Sequence, residues 1–335
     1  MDTIKLTFPE AGAEVSLRTE DQKKFDTSPD RAKFHEPELE PNKTDGTIPF
    51  PVIFKWQGIT KAEVELSETP DFTETKKYSG RGSARAFNLI PGKKYFWRVK
   101  CGENFSEIRD FTIANELPRV LYIPELTNVR DCGIWQISGN RRRKPGMIYR
   151  GGQLEPWTHL PHGNGLNAEG KKVWKELQIK TDLDLRSDGE SVWEEHEVSY
   201  QKLPSTAYAT WQETGIFSPE AKEQVRKIFA LFADETAYPL YMHCAGGGDR
   251  TGTIAFLLGA MLGMDYNDLI NDYEYSNLSV SGERCRFSKV WKAFEEKLNE
   301  YAPGEPVRNQ VINYLKKIGV TDAEINSIRN ILIEK

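Results

Sequence analysis

Cysteine is scarce: there are four in 335 residues, at 101, 132, 244 and 285, and none stands in a Cys-x-x-Cys pair. The five histidines include one close pair, His159 and His162, in a loop-like stretch. A structural zinc site needs clustered ligands of these types, so no metal is expected, and Cys101 and Cys132 read as ordinary thiols. Long apolar runs are missing too, since nothing approaches the roughly 20 residues that cross a bilayer. Met1-Asp-Thr-Ile-Lys5 has no apolar signal core, as the start of a mature protein would also lack one. Nor is there an excess of positive charge. Lys and Arg number 45 against 50 Asp and Glu, and a net charge of -5 gives no reason to expect nucleic acid or an anionic membrane as partner. Two nucleotide-binding loops are excluded by single residues. Asp249-Arg250-Thr251 stands where a Walker loop would end in Gly-Lys-[Ser/Thr], and a dinucleotide fingerprint would need glycine rather than threonine at 251.

What the chain does have is Tyr241-Met-His-Cys-Ala-Gly-Gly-Gly-Asp-Arg-Thr-Gly252. A short apolar run before it reads as a buried strand, and residues 251–262, almost wholly apolar and followed by Gly263, read as a core helix. The turn between them therefore lies at a helix N-terminus, where unpaired N–H groups and the helix dipole favour an anion. Ala245, Gly246, Gly247 and Gly248 leave room for those N–H groups to curl around a phosphate. Arg250 adds a planar fork for two phosphate oxygens. The same positive field favours the thiolate of Cys244, and Thr251 can donate a hydrogen bond to that sulfur. The alternative, an inert buried cysteine beside a glycine turn, would leave Arg250 in want of another anionic partner.

His243-Cys244-x5-Arg250-Thr251-Gly252 resembles the active-site loop of the cysteine-dependent protein tyrosine phosphatases, above all the bacterial and fungal subgroup. Weaker matches follow in the family's order at Asn128-Val-Arg-Asp131, Ile148-Tyr-Arg-Gly-Gly-Gln-Leu154, Leu183-Asp-Leu-Arg-Ser187 with Glu190, and Ile270-Asn-Asp-Tyr-Glu-Tyr-Ser-Asn277. The resemblance implies attack by Cys244 on a phosphomonoester, a phosphocysteine intermediate and no cofactor. It implies a phosphorylated protein or small phosphomonoester as substrate. Many family members carry an acidic proton donor on a separate loop, but the corresponding stretch, residues 203–213, has no aspartate. Asp249 is the first candidate for that acid, with Asp184 and Glu213 behind it. Asp249 could instead pair with a neighbouring arginine and shape the loop.

Inositol phosphates or phosphoinositides are the alternative substrates, disfavoured because the loop has no lysine. Arg150, Arg186 and the Arg141–Lys144 run could still bring positive charge to the rim. Arg284 and Arg286 could lie near the pocket rim, although surface charge is the favoured reading for both. A non-catalytic phosphate reader is the alternative of another class, although it would have no use for a nucleophile.

Length suggests two domains. Alternation at Ile4, Leu6 and Phe8, at Ala62, Val64 and Leu66, and at Tyr95, Trp97 and Val99 buries one face of each strand, as in an antiparallel sandwich. Leu89-Ile-Pro-Gly-Lys-Lys-Tyr-Phe-Trp-Arg-Val99 resembles the turn and strand of a fibronectin type III domain, with Trp56 as the earlier core tryptophan. Residues 26–49 read as a long loop or mobile insertion. The expected architecture is an all-β sandwich over 1–115, acting as spacer or contact surface, then an α/β domain over 118–335 with a mostly parallel sheet flanked by helices. Such a fusion leans towards a bacterial cell envelope or periplasm.

Overall fold

The computed structural model describes residues 3–34, 45–156, 165–194, 197–208, 215–279 and 283–335. The chain divides into two compact units, Met1–Lys23 with Pro49–Tyr122 and Lys24–Ile48 with Ile123–Lys335.

In the first unit the two-residue alternation does what it predicts except at Phe8, which lies past a shift in register after Leu6 and is exposed. The strands are β1 (Lys5–Phe8), β2 (Ala13–Val15), β3 (Val52–Gln57), β4 (Lys61–Ser67), β5 (Lys76–Arg81), β6 (Ser83–Ala86), β7 (Lys94–Cys101), β8 (Asn104–Phe105) and β9 (Arg109–Ile113). They form one sheet in the order β1-β3-β6 and a second in the order β2-β9-β7-β4-β5, with β8 on β7. Phe54 and Trp56 of the first sheet share a single apolar cluster with Trp97, Val99 and Phe111 of the second. One pairing departs from the antiparallel expectation: β2 runs parallel to β9. A two-residue strand, β10 (Arg119–Val120), leads out of this unit.

Helix α1 (Glu20–Thr27) spans the point where the chain first passes between units. Residues 26–49, expected as a loop or mobile insertion, are different where they are described. Phe25 and Phe34 bracket a turn, Phe25 meets Tyr275 edge-on at 5.3 Å, and Asp45 and Thr47 are buried. Their apolar and hydrogen-bonding side chains were hidden by the polar composition around them; residues 35–44 lie outside the described part.

The second unit continues with β11 (Arg130–Asp131), the hairpin β12 (Gln136–Ile137) and β13 (Arg141–Arg142), β14 (Ile148–Gly151), α2 (Ala168–Glu176), β15 (Thr181–Asp184), β16 (Ser199–Lys202), α3 (Pro219–Phe232) and β17 (Leu240–His243). Its sheet runs β11-β14-β17-β15-β16. β14, β17, β15 and β16 are parallel, and β11 is antiparallel to β14. β17 is central and fully buried, as its apolar sequence requires. Helices α4 (Arg250–Leu262), α5 (Tyr266–Glu274), α6 (Lys289–Asn299), α7 (Val307–Lys317) and α8 (Asp322–Leu332) follow. Every residue of α4 after Arg250 is buried, and Gly263 ends it in the left-handed region at φ 96°. Asn167 caps α2, Ser218 caps α3 ahead of Pro219, and Thr321 with Glu324 forms a capping box on α8. No helix among the described residues is long and apolar enough to cross a membrane.

Candidate active site

The loop from Cys244 to Asp249 joins the carboxyl end of β17 to the N-terminus of α4, the edge at which open α/β sheets collect ligands. No side chain caps α4: Asp249 occupies the cap position without its carboxyl bonding to the helix, so the first-turn N–H groups stay open to an anion.

The loop's carbonyls are all engaged outside it. Cys244 O lies 3.3 Å from His243 Nδ1. Ala245 O accepts from Gln153 N at 2.9 Å. Gly246 O accepts from Asn128 Nδ2 at 3.0 Å, and Gly247 O from an Arg150 Nη at 2.8 Å. Gly248 O accepts from Tyr208 Oη at 3.2 Å, and Asp249 O from Thr253 N and Oγ1 at 2.8 and 2.9 Å. With every C=O held from outside, the N–H groups of Ala245 to Asp249 have no hydrogen-bond partner among the described residues. A run of unpaired amides at a helix start is a nest for an oxyanion. Gly247 makes the sharpest bend, at φ 70°, and a Cβ there would lie 2.3 Å from Gly151 O.

The expected residues are thereby brought together. Cys244 is 3% exposed at the head of the loop. Arg250 has no ion pair or hydrogen-bonded partner among the described residues, so its fork is uncommitted. Thr251 is fully buried, and its Oγ1 has no hydrogen-bond partner among the described residues, Cys244 Sγ included. Asp249 is half-exposed, with Oδ2 2.8 Å from an Arg284 Nη.

A second layer holds this loop, built by the weaker sequence matches. Arg130 and Arg150 are both fully buried and share Asp272 of α5; Arg130 Nε lies 2.7 Å from Asp272 Oδ1, and Arg150 bonds to Oδ2. Burial opposes the charge of the Asp272 carboxyl, but the two guanidiniums outweigh it and hold its pKa below the usual carboxylate range. His243 has Nε2 2.9 Å from Asp182 Oδ1, close enough for an ion pair though not aligned as a hydrogen bond. Burial disfavours the imidazolium, yet the Asp182 and Asp184 carboxylates prevail and raise its pKa.

Several expectations are corrected. Arg150 does not line the rim; it is spent on Gly247 O and Asp272. Arg186 is taken by Asp184, Gln153 and Glu155. Asp184, a weaker candidate for the acid, is fully buried and accepts from Arg186 N, its guanidinium and Tyr200 Oη. Although burial pushes its pKa up, Arg186 and His243 bring the net shift below the usual range, so Asp184 holds no proton to give. The Arg141–Lys144 run contacts Glu334, Asn330 and Met264 rather than the loop. Arg284 is 4% exposed, not surface charge; the half-buried Arg286 pairs with Glu274 at 3.0 Å. Glu213 lies outside the described residues.

The sequence hid Tyr208 and Asp45, and marked Arg284 only as a residue that could lie near the rim. Arg284 comes in from residues beyond α5, with its main chain held by Asn277 Oδ1 and Nδ2 at 2.8 Å each. Tyr208 sits in the stretch searched for an acid; burial raises its pKa well above that of a free phenol and keeps it a donor. Neither residue belongs to a local pattern, though Asn277 within the α5 match was the available signal for Arg284.

The model of the tyrosine phosphatase family matches residues 121–334. Among solved structures, the chain is similar to the core catalytic domain of the PP-IP phosphatase SIW14 from S. cerevisiae in complex with citrate. That match has 13% identity and a TM-score of 0.32, covering 44% of this chain and 78% of that one. It is also similar to P. aeruginosa TpbA, as a cysteine-to-serine variant in complex with phosphotyrosine, at 19% identity and a TM-score of 0.34, covering 54% of this chain and 96% of that one. A comparison with curated proteins gave no match. With a family match over well more than half its length, the chain belongs to the tyrosine phosphatase family and is a cysteine-dependent phosphatase.

Proposed function

We propose that the chain is a protein tyrosine phosphatase that works in two steps through a phosphocysteine at Cys244. In the first step the Cys244 thiolate attacks phosphorus in line and the P–O bond to the leaving group breaks. The three equatorial oxygens meet the N–H groups of Ala245 to Asp249 and the fork of Arg250. The leaving oxygen takes a proton from Asp249. In the second step water attacks the phosphocysteine and gives a proton back to the Asp249 carboxylate, the S–P bond breaks, and inorganic phosphate leaves. Thr251 Oγ1 makes no hydrogen bond to Cys244 Sγ in the resting site, and we assign it as the donor that meets the sulfur as it departs.

The observation that carries this reading is the tethering of all six carbonyls from Cys244 to Asp249 from outside the loop, which leaves its amides for an oxyanion. Asp249 as acid draws support from its half-exposed carboxyl beside Arg250. Phosphotyrosine is favoured over inositol phosphates because Arg150 and Arg186 are already neutralised and the loop carries no lysine.

We read the first unit as a fibronectin type III-like sandwich serving as spacer or contact surface, on the strength of two sheets sharing one core with Trp56 and Trp97.

The test is phosphate release from an aryl phosphate by the wild type and by Cys244→Ser, with a chelator present. Turnover by the wild type alone is expected. Equal rates from the two proteins would refute the thiol mechanism.

A further inference from the structure

A series of hydrogen bonds reaches the phosphate loop from residues that precede the family match. Asp45 is 5% exposed. Its Oδ1 accepts from Thr47 N at 2.8 Å and Thr47 Oγ1 at 2.7 Å, and its Oδ2 accepts from Asn128 N at 2.7 Å. Asn128 in turn donates from Nδ2 to Gly246 O at 3.0 Å and to Ser276 Oγ at 3.1 Å, while its Oδ1 accepts from Arg130. Asn128 is fully buried and left-handed, at φ 57°. Asparagine enters that region more readily than most residues, and here buried hydrogen bonds on its main chain and side chain fix it there. The Asp45 carboxylate supplies part of that fixation by receiving the main-chain N–H.

The segment that brings Asp45 is itself built onto the catalytic unit. Gly46 N donates to Leu278 O at 2.9 Å, and a Cβ on Gly46 would lie 2.5 Å from that oxygen. Further back, Arg31 lies 3.7 Å from Glu274 and Phe25 meets Tyr275. Residues 24–48 group with 123–335 as one compact unit, whereas the family match begins at 121.

We propose that Asp45 is a positioning residue for the phosphate loop, acting through Asn128 on the Gly246 carbonyl, so that a segment lying before the first unit's main strands completes the phosphatase. The proposal rests on the reading that this loop binds the transferred phosphoryl group. Without Asp45, Asn128 loses the acceptor for its buried N–H, and the Gly246–Gly247 peptide loses the fixed outward carbonyl that turns its N–H inward.

The full-length chain is tested with inorganic phosphate as competitive inhibitor of aryl phosphate turnover. Loss of a hydrogen bond to a charged acceptor predicts that Asp45→Ala raises the inhibition constant for phosphate and lowers kcat/KM, each by about tenfold or more. Asp45→Asn keeps an acceptor for Asn128 N and is expected between wild type and Asp45→Ala. Phe25→Ala removes packing from the same segment without touching the series; it is expected to lower the melting temperature and leave the phosphate constant within about twofold. The proposal is overturned if Asp45→Ala binds phosphate like the wild type, or if Phe25→Ala weakens phosphate equally at the same loss of melting temperature. Should Asp45→Ala not fold, Asp45→Asn decides by the same comparison, an unchanged constant overturning the proposal. An inactive Cys244→Ser alongside an unaffected Asp45→Ala would remove only this inference, whereas an active Cys244→Ser would remove the phosphocysteine reading beneath it.

Discussion

Replacing Gly247 by alanine isolates the loop's geometry from its chemistry, because it adds one methyl and removes no functional group. Two costs attach to that methyl. The residue sits at φ 70°, where an L side chain costs roughly 1–2 kcal/mol. Its Cβ would also lie 2.3 Å from Gly151 O and 2.4 Å from Gly151 C, main-chain atoms that cannot swing aside. Overpacking of that kind costs about 1–3 kcal/mol. Holding the native loop would therefore cost roughly 2–5 kcal/mol, and the loop relaxes instead, drawing Gly247 O from Arg150 and turning amides out of the nest. If catalysis needs the loop as it stands, kcat/KM falls by about 30-fold to a few thousand-fold at 1.36 kcal/mol per decade. Gly248→Ala is the matched control. Its Cβ would meet the Arg284 guanidinium at 2.5 to 2.7 Å, a side chain rather than main chain, and its φ lies outside the left-handed region, so a smaller loss is expected. The assay is steady-state hydrolysis of an aryl phosphate, with near-ultraviolet circular dichroism to verify folding. A folded Gly247→Ala enzyme within about threefold of the wild type would refute the reasoning.

Asp249→Asn should slow alkyl and unactivated aryl phosphates by roughly 100-fold or more while sparing activated ones, and a uniform effect across a leaving-group series would contradict the acid's role. Asp272→Asn leaves Arg130 and Arg150 buried without their shared carboxylate, and a loss of about 3–5 kcal/mol is expected from urea unfolding. A loss below about 1 kcal/mol would show that the two guanidiniums find other partners. His243 gives a pH signature. Its folded pKa is raised above the ordinary 6.5, so its contribution to stability is complete below pH 6.5 and is lost as pH rises through the folded value. The stability difference between wild type and His243→Gln should therefore shrink with rising pH across that window, and a flat or growing difference would reverse the assignment.

The loop from Cys244 to Thr251 was legible because its chemistry is local. A buried strand, three glycines, an arginine and an apolar helix must be consecutive in sequence to make an anion nest at a helix start. The core of the first unit was legible for a similar reason, since alternation at Trp97 and Val99 is a property of one strand. The second layer was legible as motifs but not as functions. Asn128, Arg150 and Gln153 reach the loop carbonyls from β11, β14 and the residues beside them, and sheet order decides that. Charge reading failed for the same cause. Arg150, Arg186 and Arg284 look alike in sequence, yet burial against Asp272, Asp184 and Asp249 converts each from a rim cation into a bracing residue. Asp45 lay furthest from view, in a polar stretch, with a hydrogen-bond partner of its buried carboxylate 83 residues away.

The central claim is that Cys244 carries the phosphoryl group between the two steps. Rapid acid quench of the full-length enzyme during turnover of an aryl phosphate, followed by peptide mass spectrometry, tests it directly. One phosphoryl group on the peptide containing Cys244, absent from Cys244→Ser, is the predicted result. Turnover at full rate with the label on another residue, or with no phosphoenzyme while burst kinetics demand one, would contradict it.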